Sequence, residues 1–269
     1  MPDAENQPGP DVLATLADEP AASDVDAMDY RTMYELVVQL TNTVMQQAVE
    51  LKQEKEELEK RVAERTRALE RANLDAMYML ACAAEARDAQ SAEHLRRVEW
   101  LSRRLALQIG FGKELATEVG RSSVLHDVGK LHIPEAILGK AGPLTDDERS
   151  VMVRHTTVAE QIILDKPWFA VARRIARSHH EDFAGTGYPD GLRGLSIPLE
   201  ARIVRVADAV DALASPRPYK LAWPIADVIT YAKENAGTLF DPEVVDALVA
   251  IHAADELHPP SEPDEEWMI

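Results

Sequence analysis

The chain has 269 residues, a formal net charge of −18, 46% hydrophobic residues and one cysteine, Cys82. That length holds one globular unit with an extension. The acidity disfavours nonspecific nucleic-acid binding, and a lone cysteine precludes an intrachain disulfide and suits a reducing cytoplasm. Neither a run of 18 apolar residues nor a charged-then-apolar leader occurs, so membrane spanning and secretion are not expected.

Residues 1–29 carry eight acidic residues and no Lys or Arg, and residues 253–269 carry six acidic residues and again no Lys or Arg. Such segments bury too little apolar surface to offset their ordering entropy, so both are expected to be disordered acidic tails. Between Tyr30 and about Leu80 there is neither Gly nor Pro, and Val37, Val44, Leu51 and Leu58 recur at heptad spacing beside Ala48, Val62 and Leu69. This predicts a long helix over 30–80 that pairs as a parallel homodimeric coiled coil, its seam interrupted by Thr41, Lys55 and Arg65.

The chemistry is concentrated in LHDVGKLHIP, residues 125–134. On a helix, His126 and Asp127 would point about 100° apart and reach neighbouring metal ions, and Lys130 one turn on would face a phosphate oxygen. An HD dipeptide alone is a weak signal. It gains weight from His94, His155, the pair His179–His180, and Asp208, which sits in the apolar run VRVADAVDAL where a lone carboxylate would be costly to desolvate. Imidazoles with carboxylates and no thiolate suit two divalent ions.

Several helices are expected to deliver these groups. Glu85 and His94 lie nine residues apart and would face opposite sides of one straight helix, so a break is expected between them, with Asp88 and Ser91 as caps. Glu85 is then either a metal ligand or the partner of Arg87 or Arg96. Helical spacing runs from His94 to Ile109 and from Lys113 to Leu125. The sequence TDDE caps a helix leading to His155, and Ala170–Ser178 leads to His179 and His180. Residues 183–194 form a glycine-rich loop. Arg217 and Lys220, restrained by two prolines, would grip the phosphates of a dianionic ligand. Asp211, one turn past Asp208, reads as a hydrogen-bond acceptor behind a ligand, and His132, His252 and His258 as nonligands.

The ordered series EARDAQSAEH (85–94), HDVGK (126–130), His155, HHEDFAGTGYPDGL (179–192), VADAVDAL (206–213), SPRPYK (215–220) and GTLFDPE (237–243) resembles the HD-GYP family of metal-dependent phosphodiesterases. The resemblance spans about residues 81–252. It implies an all-α fold, an HD-type helical bundle, and hydrolysis of cyclic di-GMP to pGpG or GMP in bacterial signalling. The alternatives are a catalytically weak cyclic dinucleotide receptor and an enzyme acting on cyclic GMP-AMP.

By the same resemblance, His94, His126, Asp127 and Asp208 hold one metal with Asp127 bridging, and His155, His179 and His180 complete the other. Glu85 matches a residue that can help hold a third. Iron or manganese is implied, Lys130 and Asp127 act in catalysis, and the loop with Gly187 and Tyr188 meets substrate or a signalling partner. The sequence departs from the usual pattern at Phe183, Ala184 and Ser91, which puts the loop's contacts in question. The segment KRVAERTRALERAN is similar to signalling helices that join sensory modules to output domains.

Overall fold

The computed structural model describes residues 30–88 (without the Asp88 side chain), 92–216, 221–254 and 257. The expected tails lie outside these residues, apart from Ala253, Ala254 and Leu257, as do Ser91, Arg217, Lys220 and His258. Helix α1 spans Tyr30–Glu85. Its residues up to Thr66 form one compact unit and are all exposed, Val37, Val44, Leu51 and Leu58 among them. The second unit starts at Arg67, and within it α1 becomes buried at Ala81, Ala84 and Glu85. No helix among the described residues is long and apolar enough to cross a membrane.

Among its described residues the second unit is built of helices, with one isolated β-bridge between Ala236 and Phe240. It comprises α2 (Ala92–Ile109), α3 (Lys113–Ser123), α4 (Glu135–Leu138), α5 (Asp146–Val153), α6 (His155–Ile162), α7 (Ala170–Ser178), α8 (Leu199–Ala214), α9 (Ile225–Glu234) and α10 (Pro242–Ala253). The sequence patterns account for the segments. In α7, Val171, Ala172, Ile175 and Ala176 form a buried stripe, while Arg173, Arg174 and Arg177 lie on the other face and reach Glu160, Glu200 and Asp190. Thr145 and Glu148 cap α5 reciprocally, and the Asp241 side chain caps α10, whose first residue is Pro242.

Two apolar clusters hold the unit together. The larger joins α2, α3, α7, α8, α9 and α10 through residues such as Leu105, Ile175, Ile203 and Leu248. The smaller gathers Ala81, Leu95, Val124, Leu125, Val128, Ala159, Ile163, Ala172 and Ala176. Each large aliphatic side chain so buried contributes about 1.5–3 kcal/mol. Members of the smaller cluster neighbour the candidate site residues in sequence: Leu95 follows His94, and Leu125 and Val128 flank His126 and Asp127. Hydrophobic burial therefore fixes the backbone that carries the polar groups.

Two local expectations need correction. His126, Asp127 and Lys130 do not lie on an α-helix, because α3 stops at Ser123 and a turn leads into a 3-10 helix over Val128–His132. The tighter winding eclipses positions three apart, which is why Lys130 still meets Asp127. His155 does not end the helix begun at TDDE. That helix stops at Val153, and His155 opens α6 after a break at Arg154.

Between α2 and α3 the packing is close: a Cβ at Gly120 would stand 3.0 Å from the Cβ of Arg103 and from the Glu99 carbonyl oxygen. Burial here pushes the Glu99 carboxyl up to about 7, against the pull of Arg121 and Arg103. A raised folded value means the protonated acid is favoured in the fold, so this contribution is full below pH 4.5 and lost as pH rises through 7. Glu99→Gln is therefore expected to stabilise the chain by about 1–3 kcal/mol above pH 7 and to change little below pH 4.5, measured by urea unfolding across that range.

Candidate metal centre

The break expected between Glu85 and His94 is present. Helix α1 ends at Glu85, a 3-10 turn covers Ala86–Asp88, and α2 begins at Ala92. This brings Glu85 and His94 together with His126, their ligand-type atoms all within 4.8 Å of one another. A second group within the same limit joins Asp127, His155, His179 and His180. The grouping differs from the expected one in that Glu85 takes the position beside His94 and His126 where Asp208 was expected, while Asp127 falls with the other three histidines as a bridging carboxylate would. Asp127 nevertheless spans both groups. Its Oδ2 is 3.2 Å from His126 Nε2, and its Oδ1 is 3.2 Å from His155 Nε2 and 3.6 Å from His179 Nε2. Asp208, on α8, belongs to neither group but places Oδ1 3.8 Å from His94 Nε2.

The imidazoles are oriented from behind. Nδ1 of His126 faces the Ser123 carbonyl at 2.8 Å, that of His155 the Met152 carbonyl at 2.8 Å, and that of His179 the Ala176 carbonyl at 3.1 Å. Nδ1 of His94 lies 2.7 Å from Asp211 Oδ2, and Asp211 is held in turn by Arg97. Carbonyl oxygens only accept, so Nδ1 carries a proton and each ring turns its Nε2 inward. All four Nε2 atoms are buried without a hydrogen-bond partner, as are Asp127 Oδ1 and Glu85 Oε2. Six converging buried polar atoms without partners would be costly in any fold unless a cation, a proton or a metal ion, met them. The donor set, nitrogen and carboxylate oxygen without sulfur, fits divalent ions of borderline to hard character.

The field of the site has the same sign. Burial alone would depress His126, but Asp127, Asp208 and Glu85 override it and push the imidazole up to about 10. Burial also works to raise Asp127, yet Lys130 and His126 hold the carboxyl well below its usual range. Burial, then Asp127, raises Glu85. A proton on His126 is thus the cation this carboxylate cluster collects, and a divalent ion would take its place. On the other side, burial lowers His155 to about 4 and, with His179, depresses His180, so both present neutral nitrogens.

Lys130 is buried and sets its ammonium 2.7 Å from Asp127 Oδ2. Arg87 does not pair with Glu85; its guanidinium turns to backbone carbonyls, which leaves Glu85 facing His94 and His126. His132 is exposed.

The glycine-rich loop folds back on this centre. The Tyr188 ring lies 4.8 Å from that of His180 at 34°, and its backbone N–H donates to the His180 carbonyl. Gly187 is needed for this approach: a Cβ there would come within 2.2 Å of the Asp182 nitrogen. The Tyr188–Pro189 peptide is cis. The Phe183 and Ala184 N–H groups donate to the Leu239 and Thr238 carbonyls, so GTLFDPE grips the loop by its backbone whatever side chains stand at those two positions.

Sequence reading missed Glu181. Its buried carboxylate accepts from the Asp190 and Leu192 N–H groups at 2.7 and 3.0 Å and closes the loop. Arg177 adds a two-pronged bond to Asp190. The available signal was an acid directly after the two histidines in HHED.

The chain matches the HD domain over residues 78–244. It is 38% identical over 252 residues to the cyclic di-GMP phosphodiesterase response regulator RpfG of Xanthomonas campestris pv. campestris, covering 89% of this chain and 67% of that protein. It is also 38% identical to a cyclic di-GMP phosphodiesterase of Thermotoga maritima, over 66% of this chain and 49% of the other. A 3'3'-cGAMP-specific phosphodiesterase 2 of Vibrio cholerae is 37% identical, over 64% of this chain and 34% of the other. The chain thus spans from two thirds to one third of these relatives' lengths. A crystal structure of a cyclic GMP-AMP specific phosphodiesterase of V. cholerae, V-cGAP3, shares the fold with a TM-score of 0.50 and 19% identity, over 68% of this chain and 49% of that one.

If the six orphan atoms receive a cation, manganese(II) at 100 times its dissociation constant is expected to stabilise the chain by about 2.7 kcal/mol. Thermal unfolding with and without a chelator would show this, with the shift lost in His126→Ala. On the domain match, the ordered motifs and the relatives together, the chain belongs to the HD domain family, in its HD-GYP branch.

Proposed function

We propose that the chain is a cytoplasmic phosphodiesterase that hydrolyses cyclic di-GMP in bacterial second-messenger signalling. The observation that carries this reading is the set of inward-pointing Nε2 atoms and carboxylate oxygens buried without a hydrogen-bond partner, in a family with relatives named for that activity. Glu85, His94 and His126 would hold one ion and His155, His179 and His180 another, with Asp127 between them and Asp208 joining from α8. Iron or manganese suits these donors, two ions, or three where Glu85 binds one separately. Such ions lower the pKa of a water and draw charge from a phosphoryl group.

The chain's own residues then have distinct tasks. Asp127 would be kept ionised and aimed by Lys130. The ammonium of Lys130 would offset charge developing on the phosphoryl and leaving oxygens as water forms a bond to phosphorus and gives up a proton, the 3'-oxygen leaves and takes up a proton, and linear pGpG forms. A second cleavage would give GMP. The ring of Tyr188 and the backbone at Gly187 would form a wall against the nucleotide, and Arg217 and Lys220 would grip its phosphates. The loop would also offer a contact for a signalling partner.

A second substrate reading has an observation of its own, since the relative named for 3'3'-cGAMP is 37% identical, close to the 38% of those named for cyclic di-GMP. Protein purified anaerobically and supplied with iron(II) or manganese(II) is expected to turn over cyclic di-GMP, with kcat for Asp127→Ala lower by at least about 100-fold. Faster turnover of cyclic GMP-AMP would reassign the substrate. Tight binding with full metal occupancy and no turnover would make the chain a receptor.

The exposed heptad positions of α1 support a parallel pairing with a second copy, because identical helices present matching seams. Light scattering is expected to give a dimer, and Leu51→Glu with Leu58→Glu a monomer.

A further inference from the structure

Arg87 belongs to the first motif of the site but faces none of the metal-type ligands. Its Nη1 donates to the carbonyl oxygens of Lys130 and Leu131 at 2.9 and 2.6 Å, and its Nη2 to that of Ile133 at 2.8 Å. These carbonyls lie at and just past the end of the 3-10 helix Val128–His132, where the helix end is negative; that of Lys130 also accepts from the Ile133 N–H at 3.0 Å. A planar guanidinium from another part of the chain caps that end. An ammonium is a point charge and cannot present two parallel edges to three oxygens. Among the described residues the carboxylate paired with it is that of Glu135, at 3.5 Å, and it is exposed.

Position gives the contact its meaning. Arg87 stands two residues after Glu85, the last residue of α1, and the segment it caps carries Lys130, whose ammonium holds Asp127. The end of α1 therefore meets the centre twice, directly through the Glu85 carboxylate and indirectly through the backbone behind Lys130.

We infer that Arg87 is a positioning residue: it locks the Asp127–Lys130 segment to the end of α1, so that the two sides of the metal centre keep their spacing only while its guanidinium caps residues 130–133. This rests on the metal-dependent phosphodiesterase reading above. Groups that orient metal ligands from behind typically change metal affinity or activity by about 10–100-fold when removed, and the same range is expected here.

The test compares the full chain with Arg87→Ala and Arg87→Lys. Three quantities are read: amide exchange by mass spectrometry, manganese(II) binding by calorimetry, and kcat and KM for cyclic di-GMP. Arg87→Ala is expected to speed exchange in residues 128–134 but not in α10, to weaken manganese binding, and to lower kcat with KM little changed. Millimolar methylguanidinium is expected to restore part of both losses, and Arg87→Lys to restore neither.

Unchanged manganese binding and kcat in Arg87→Ala would overturn the inference. So would full recovery in Arg87→Lys, since a bare positive charge would then suffice, or faster exchange across the whole unit. If the parent chain turned over no cyclic dinucleotide, the phosphodiesterase reading would fail, while exchange and manganese binding would still decide the role of Arg87.

Discussion

Asp127 joins the two halves of the centre because its two oxygens face in different directions. One meets the Lys130 ammonium and His126, and the other meets His155 and His179. A buried carboxylate in this position is tolerable only when cations meet it, as the Lys130 ammonium does on one oxygen and as an ion shared with His155 and His179 would on the other. The arrangement of the helices follows from that need. Helix α3 must end before His126, α6 must begin at His155, and α7 must end just before His179, so that side chains from separate elements converge on one acid.

The fold was largely legible because its signals are local. The caps at Thr145 and Asp241, the stripe in α7 and the glycine-free run of α1 each report a helix from a few residues. The turn at 124–127 was not legible, because LHDVGK has no proline and its glycine follows the bend. What ends α3 there is the seating of His126 and Asp127 among histidines distant in sequence, which is tertiary information. The break at Arg154 has the same origin.

The candidate site was legible in its members and less so in its pairing. Ring nitrogens at 94, 126, 155 and 179 converge, but which carboxylate sits beside which imidazole depends on how the chain re-enters after α1. Glu85 was therefore left open between two roles. Glu181 escaped notice because its partners are backbone N–H groups nine and eleven residues on, and backbone groups leave no trace in a sequence. At Phe183 and Ala184, where unusual side chains put the loop's contacts in question, the backbone N–H groups donate to the Leu239 and Thr238 carbonyls, bonds that depend on neither side chain.

Two glycines carry the closest approaches near the centre. A Cβ at Gly129 would stand 1.8 Å from the His155 carbonyl oxygen, and one at Gly187 would stand 2.4 Å from that of His180. The frame around the ligand nitrogens is thus set by main chain against main chain, with Arg87 bonded to that main chain from behind, and the side chains that face the ligand have little means to widen or narrow it. Divergence in substrate preference within such an architecture has to arise elsewhere, on surfaces where side chains rather than backbone face the ligand. A lineage can then exchange one cyclic dinucleotide for another while its metal-binding frame stays the same.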